Sequence, residues 1–195
     1  MITKATSIIK AVDAVHNCLV EYYPTFLDKF ECEEEGLTLP APDKYALALS
    51  PTAIEETLLN AQVAVWIFQS TPSEIYELSS GTPTYKIGKQ RCFIECRIAY
   101  NLQSNITYKP DGYLDALTPN DILARRGYYY VGAMMDTILS KLCCTAPEGV
   151  INQVTDISND FAGSVFEFGT QKFAGLASVV FELDQTVSIP VCGAP

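Results

Sequence analysis

Thr118-Pro119-Asn120-Asp121 opens the stretch that most constrains the fold, a helix with a single apolar stripe. A threonine N-cap, a proline at the first helical position and an acid at the third suit the free amides of a first turn. Leu123, Gly127, Val131, Met134, Ile138 and Leu142 then recur at steps of three and four, which places them on one face. Ala146-Pro147-Glu148-Gly149 ends the segment. Such a stripe has to be buried on another element. Gln90–Asn101 offers the matching surface, because Cys92, Ile94, Cys96, Ile98 and Tyr100 alternate with Arg91, Glu95 and Arg97. That alternation predicts a strand with helices on one side and water or a partner on the other. Arg91 and Arg97 are expected to pair with neighbouring acids.

The rest of the chain fills in around this pair. Residues 3–23 predict a first helix, capped by Thr3 or Thr6, with Ile8, Val12, Val15 and Leu19 as its stripe and Pro24 as its end. Leu37–Leu39 and Tyr45–Leu49 alternate weakly as short strands, and Thr52 and Glu55 have capping-box spacing for a short helix to about Asn60. Gln62–Phe68 predicts a strand buried on both faces, with Trp66 in the core. Ser70–Lys89 is rich in Ser, Thr, Pro and Gly and predicts a loop or a mobile hairpin. Two strand-like runs close the chain, Phe161–Phe168 and Phe173–Leu183, split by Gly169-Thr170-Gln171, with an extended terminus from Val187. In the second run Lys172, Ser178, Glu182 and Asp184 are expected to face outward. The fold class that follows is α+β: a mixed or antiparallel sheet flanked by an N-terminal helix and a long central helix, closed by a β-hairpin. The 195 residues suit one domain, with loop insertions near 24–60 and 102–117.

Tyr128, Tyr129 and Tyr130 span too wide an arc for one stripe, so at least one leaves the core for a neighbouring element or subunit. Leu102–Leu117 is a long connection around Lys109-Pro110-Asp111-Gly112, flanked by Tyr108 and Tyr113. It reads equally as a partner-contact loop and as a plain excursion. These five tyrosines are the candidate subunit-interface residues.

The chemistry-bearing residues exclude more than they propose. His16 is the one histidine, which rules out a histidine-based metal cluster and leaves the cysteines without a base except beside Cys18. Glu31, Glu33, Glu34 and Glu35 read as a solvated loop in preference to a cation site, since consecutive carboxylates cannot all face one ion. Gly88-Lys89 lacks both the upstream glycine and the following Ser or Thr of a phosphate loop. Seven cysteines without a C-x-x-C pair predict reduced thiols of a cytosolic product. No run of 18 apolar residues occurs, and Met1–Val20 lacks a secretory core. A net charge of −10 opposes a sequence-independent grip on nucleic acid. Charged residues make up 18%, below the usual ~25%, which favours a surface covered by partners. No catalytic, cofactor-binding or metal-binding residues are expected.

The order of elements resembles the phage tail terminator, or tail completion, proteins of long-tailed bacteriophages. The resemblance rests on "TKATSIIKAVDAVHNCLV", "RCFIECRIAY", "DILARRGYYYVGAMMDTILSKL" and "FAGLASVVFELDQ", and covers residues 3–20 and 61–185. It implies a non-enzymatic virion protein, assembled in the host cytoplasm, that forms a homo-oligomeric ring, a hexamer in that family. The ring would cap the tail tube and meet tube and neck or connector proteins, with DNA passing through unbound and no membrane involved. Extra material near 24–60 and 102–117 departs from the family pattern. The alternatives are another neck or connector protein, a tail-tube protein, a small enzyme and a monomeric adaptor.

Overall fold

The computed structural model describes residues 4–31, 39–47, 61–82, 85–101, 119–168 and 171–190. Two helices cover one side of a five-stranded mixed sheet: α1 (Lys4–Glu31), β1 (Lys44–Ala46), β2 (Val63–Thr82), β3 (Tyr85–Asn101), α2 (Pro119–Thr137), β4 (Gln153–Phe168) and β5 (Gln171–Pro190). The strand order is β1-β2-β3-β5-β4, antiparallel except for the short parallel pair β1–β2. This is the expected α+β class, with β4–β5 as the closing hairpin.

The core forms where the two periodicities meet. Cys92, Ile94, Cys96, Ile98 and Tyr100 of β3 are all buried, with Val63, Val65 and Ile67 of β2 and Val179, Phe181 and Leu183 of β5 beside them. Ala11, Val15, Cys18 and Leu19 of α1 pack on this face with Val131 and Met134 of α2 and with Ile138 and Leu142 beyond it. Contacts place α1 over β2 and β5, and α2 over β5 and β4. Trp66 points to the opposite face of the sheet and is 2% exposed.

Several local expectations give way to tertiary packing. Proline at position 24 does not end α1, which runs on to Glu31. A proline inside a helix costs about 3 kcal/mol. Beyond or beside it Tyr23 and Leu27 are fully buried, and each such side chain recovers about 1.5–3 kcal/mol, so burial wins. Tyr23 also donates its hydroxyl to the Tyr130 carbonyl at 2.8 Å, which ties α1 to α2.

Ser70–Lys89 is a hairpin built from the far ends of β2 and β3, and not a loop. Four register shifts absorb its irregular composition, between Gln69 and Thr71, Thr71 and Glu74, Ile75 and Glu77, and Ser79 and Thr82. Gly88 sits where a Cβ would meet the side chains of Ile189, Leu78 and Ile75 at 3.2–3.3 Å, so residues of β5 and β2 close over β3 at this glycine. β4 starts at Gln153, ahead of the expected run, and β5 extends through Pro190, so Val187–Pro190 is strand and not a loose terminus. Val187 is 1% exposed and pairs with Gly88.

After Thr137 the helix widens into a π turn, Ile138–Leu142, before a last helical turn at Cys143–Thr145. Thr137 donates its hydroxyl to the Ala133 carbonyl at 2.7 Å, the back-bonding that disturbs helical ladders. The irregularity therefore lies at Thr137. Gly149, with φ of 73°, makes the turn into β4, a left-handed conformation suited to glycine. The predicted Leu37–Thr38, Leu49, Thr52–Asn60 and Leu102–Leu117 segments lie outside the described residues.

Candidate functional site

The candidate interface tyrosines separate by the arc they occupy on α2. Tyr130 is 1% exposed and stacks on Tyr100 of β3, with centroids 5.5 Å apart and an interplanar angle of 27°. Its hydroxyl donates to the Pro40 carbonyl at 2.8 Å. Tyr129 is half-buried against the core, and Tyr128 is 61% exposed. The tyrosine that leaves the core is Tyr128, and Tyr130 is removed from any surface role. Tyr108 and Tyr113 lie outside the described residues.

Beyond Tyr128, an apolar strip continues along the helix, with the exposed Asp136 beside it. Gly132 and Met135 are half-buried and Leu139 is 54% exposed, at steps of four, three and four along one side. Met135 accepts from the Asn159 amide through its sulfur at 3.3 Å, so this strip adjoins the edge strand β4.

The sheet face away from the helices carries charge in pairs. The Arg91 guanidinium Nε lies 2.8 Å from Glu182 as a charge contact outside hydrogen-bond alignment, and its head covers the Tyr76 ring at 4.4 Å. Arg97 donates to Glu95 and covers the Phe68 ring at 5.2 Å. Lys89 meets Glu77 at 2.8 Å. Both arginines are thus matched with acids, as their neighbours in sequence suggest.

Asp184 lies on the outward face expected of it, beside Arg91 in register, yet it is only 5% exposed. Tyr76 donates its hydroxyl to the carboxylate at 2.8 Å, and Gln153 donates at 3.4 Å. The Tyr76 side chain reaches across β3 from β2 to cover this position, which is why the last strand's own pattern does not show the burial. That hydrogen bond to Asp184 raises the Tyr76 phenol above its ordinary value, since ionising it would set two anions together.

A second buried polar chain links three elements. Cys92 donates to the Gln185 side-chain oxygen at 2.9 Å, and Gln185 donates to the Val150 carbonyl at 2.6 Å. Burial raises the Cys92 thiol, which keeps it a neutral donor here and a poor nucleophile. Cys18, Cys92, Cys96, Cys143 and Cys144 are free thiols.

His16 touches the Tyr45 ring edge-on at 6.0 Å and Asn17 at 3.3 Å. Among the described residues no three His, Cys, Asp or Glu side chains converge to hold a metal. A cleft of about 430 Å³ opens between α1 and the turn after α2, lined by Lys10, Asp13, Ala14, Asn17, Pro147, Glu148 and Val150. No helix among the described residues is long and apolar enough to cross a membrane.

Arg126 is the feature that sequence reasoning missed. It is 7% exposed on α2, one turn before Tyr130, and burial lowers its guanidinium below the ordinary value while Tyr100 and Tyr130 act in the opposite sense. The four-residue step from Arg126 to Tyr130 was the available signal that it faces inward. No protein-family model matches the chain, and no curated protein matches it in sequence.

Proposed function

We propose that this chain is a structural, ring-forming subunit of a long-tailed phage, a tail terminator that stops tube growth and presents a surface to the head or neck. The observation that carries the reading is the arrangement of an N-terminal helix, a long central helix and a closing hairpin on one mixed sheet, in the order the resemblance implies. The surface supports it in two further ways. Tyr128 and Leu139 stand exposed at the two ends of a half-buried apolar strip beside an edge strand, which suits a subunit contact. The net charge of −10 suits a conduit that leaves passing DNA unbound. Ring contacts are heterologous and close by rotation, so six copies could meet through two different patches of one subunit.

Electron microscopy of tails made without the protein tests the proposal. Tubes of uncontrolled length are expected, and purified protein should give rings with a central hole. Tubes of normal length would sink the terminator role; normal tubes that fail to join heads would move the protein to the neck.

A further inference from the structure

Arg126 has a buried side chain whose Nε meets no hydrogen-bond acceptor among the described residues. Among the described residues the ionisable groups that act on it are the phenols of Tyr100 and Tyr130, which are neutral at physiological pH. The ion pairs among the described residues are Lys89–Glu77, Arg91–Glu182 and Arg97–Glu95, and none includes Arg126. A guanidinium does not deprotonate at any physiological pH. With its stem and Nε buried and no acid beside it among the described residues, this cation is partly desolvated without compensation, which destabilises a subunit standing alone.

We propose that Arg126 is the receptor for a carboxylate of a second copy of this chain, an ion pair completed only when subunits associate. The acid comes from the chain's own surplus, 23 acidic residues against 13 basic. The same surplus repels a phosphate backbone, which disfavours nucleic acid as the source of the anion. A planar guanidinium beside aromatic rings accepts a carboxylate through two parallel hydrogen bonds. Tyr129, half-buried one turn along α2, and the buried Tyr130 and Tyr100 supply aromatic surface near it. Arginine and tyrosine are the residues that dominate such contacts. The inference rests on the self-assembly in the proposed function and not on a position in a tail.

Wild-type protein, R126M and R126K are compared by sedimentation velocity across a concentration range and by thermal melting of the dissociated subunit. R126M fills a similar volume without a charge. It is expected to weaken self-association by about tenfold or more while raising the melting temperature of the single subunit by about 3 °C. R126K keeps the charge and loses the fork, so its association falls while the subunit's melting temperature stays near wild type. If R126M does not fold, R126K carries the test by that split. Variants that associate like the wild type, or an R126M subunit that folds but melts lower, overturn the proposal while leaving self-assembly intact. A wild-type protein that stays monomeric at every concentration overturns the self-assembly reading as well. Inorganic phosphate that raises the melting temperature of wild type and not of R126M would assign the site to a free anion instead.

Discussion

Trp66 shows how one side chain can be both core and compromise. It is 2% exposed, and its indole N–H finds no acceptor among the described residues. Leaving a buried donor unpaired costs about 1–3 kcal/mol, close to what the larger ring gains by burial over a phenyl. Trp66→Phe is therefore expected to change stability by less than about 1 kcal/mol, against about 3–5 kcal/mol for Trp66→Ala. Urea denaturation decides this, and equal losses would show the N–H to be engaged. Cys18 makes the matching case for titration. Burial pushes its thiol up from 9.0 to about 11. A raised folded value favours the neutral form, so the contribution is complete below the unfolded value and is lost as pH climbs from 9.0 to about 11. Melting temperature should fall across that window, less steeply in Cys18→Ala; identical slopes would remove Cys18 as a cause.

At the scale of elements, α1 and the β2–β3 hairpin were the least legible. Pro24 is a stop signal by local rules, and the helix passes through it because Tyr23 and Leu27 are buried against distant parts of the chain. Replacing Pro24 with alanine restores the missing N–H and is expected to stabilise the fold by roughly 1–3 kcal/mol. A lower melting temperature for Pro24→Ala would show instead that the proline sets a bend the packing needs. In the hairpin, Ser, Thr and Pro between Gln69 and Thr82 hide the strand pattern, and four register shifts break the alternation that sequence reading relies on. The stripe of α2 and the two faces of β3 were legible, because nothing interrupts their spacing.

For the whole molecule the issue is which surface meets a partner. Tyr128 and Tyr130 are two residues apart on one helix and make opposite predictions. Tyr128→Ala is expected to leave the subunit's melting temperature within about 2 °C and to weaken self-association. Tyr130→Ala removes the stack on Tyr100 and the hydrogen bond to Pro40, and should cost the subunit about 3–5 kcal/mol. Light scattering with thermal melting separates the two effects. A Tyr128→Ala protein that assembles at wild-type concentration would move the contact off this strip. Part of this site was readable beforehand, since three adjacent tyrosines cannot share one stripe. Which one leaves the core was not, because that depends on where Tyr100 and Pro40 stand.

The sequence by itself determined which side chains share a face. Helical and extended spacing are fixed by backbone geometry, so the stripe from Gly127 to Leu142 and the alternation from Cys92 to Tyr100 hold whatever the rest of the chain does. Only the tertiary structure decided how far α1, β2 and β5 extend, and that Asp184, Gln185 and Arg126 are buried. Those outcomes depend on residues far away in sequence. Burial and strand pairing with such partners contribute more free energy than the local preferences that oppose them.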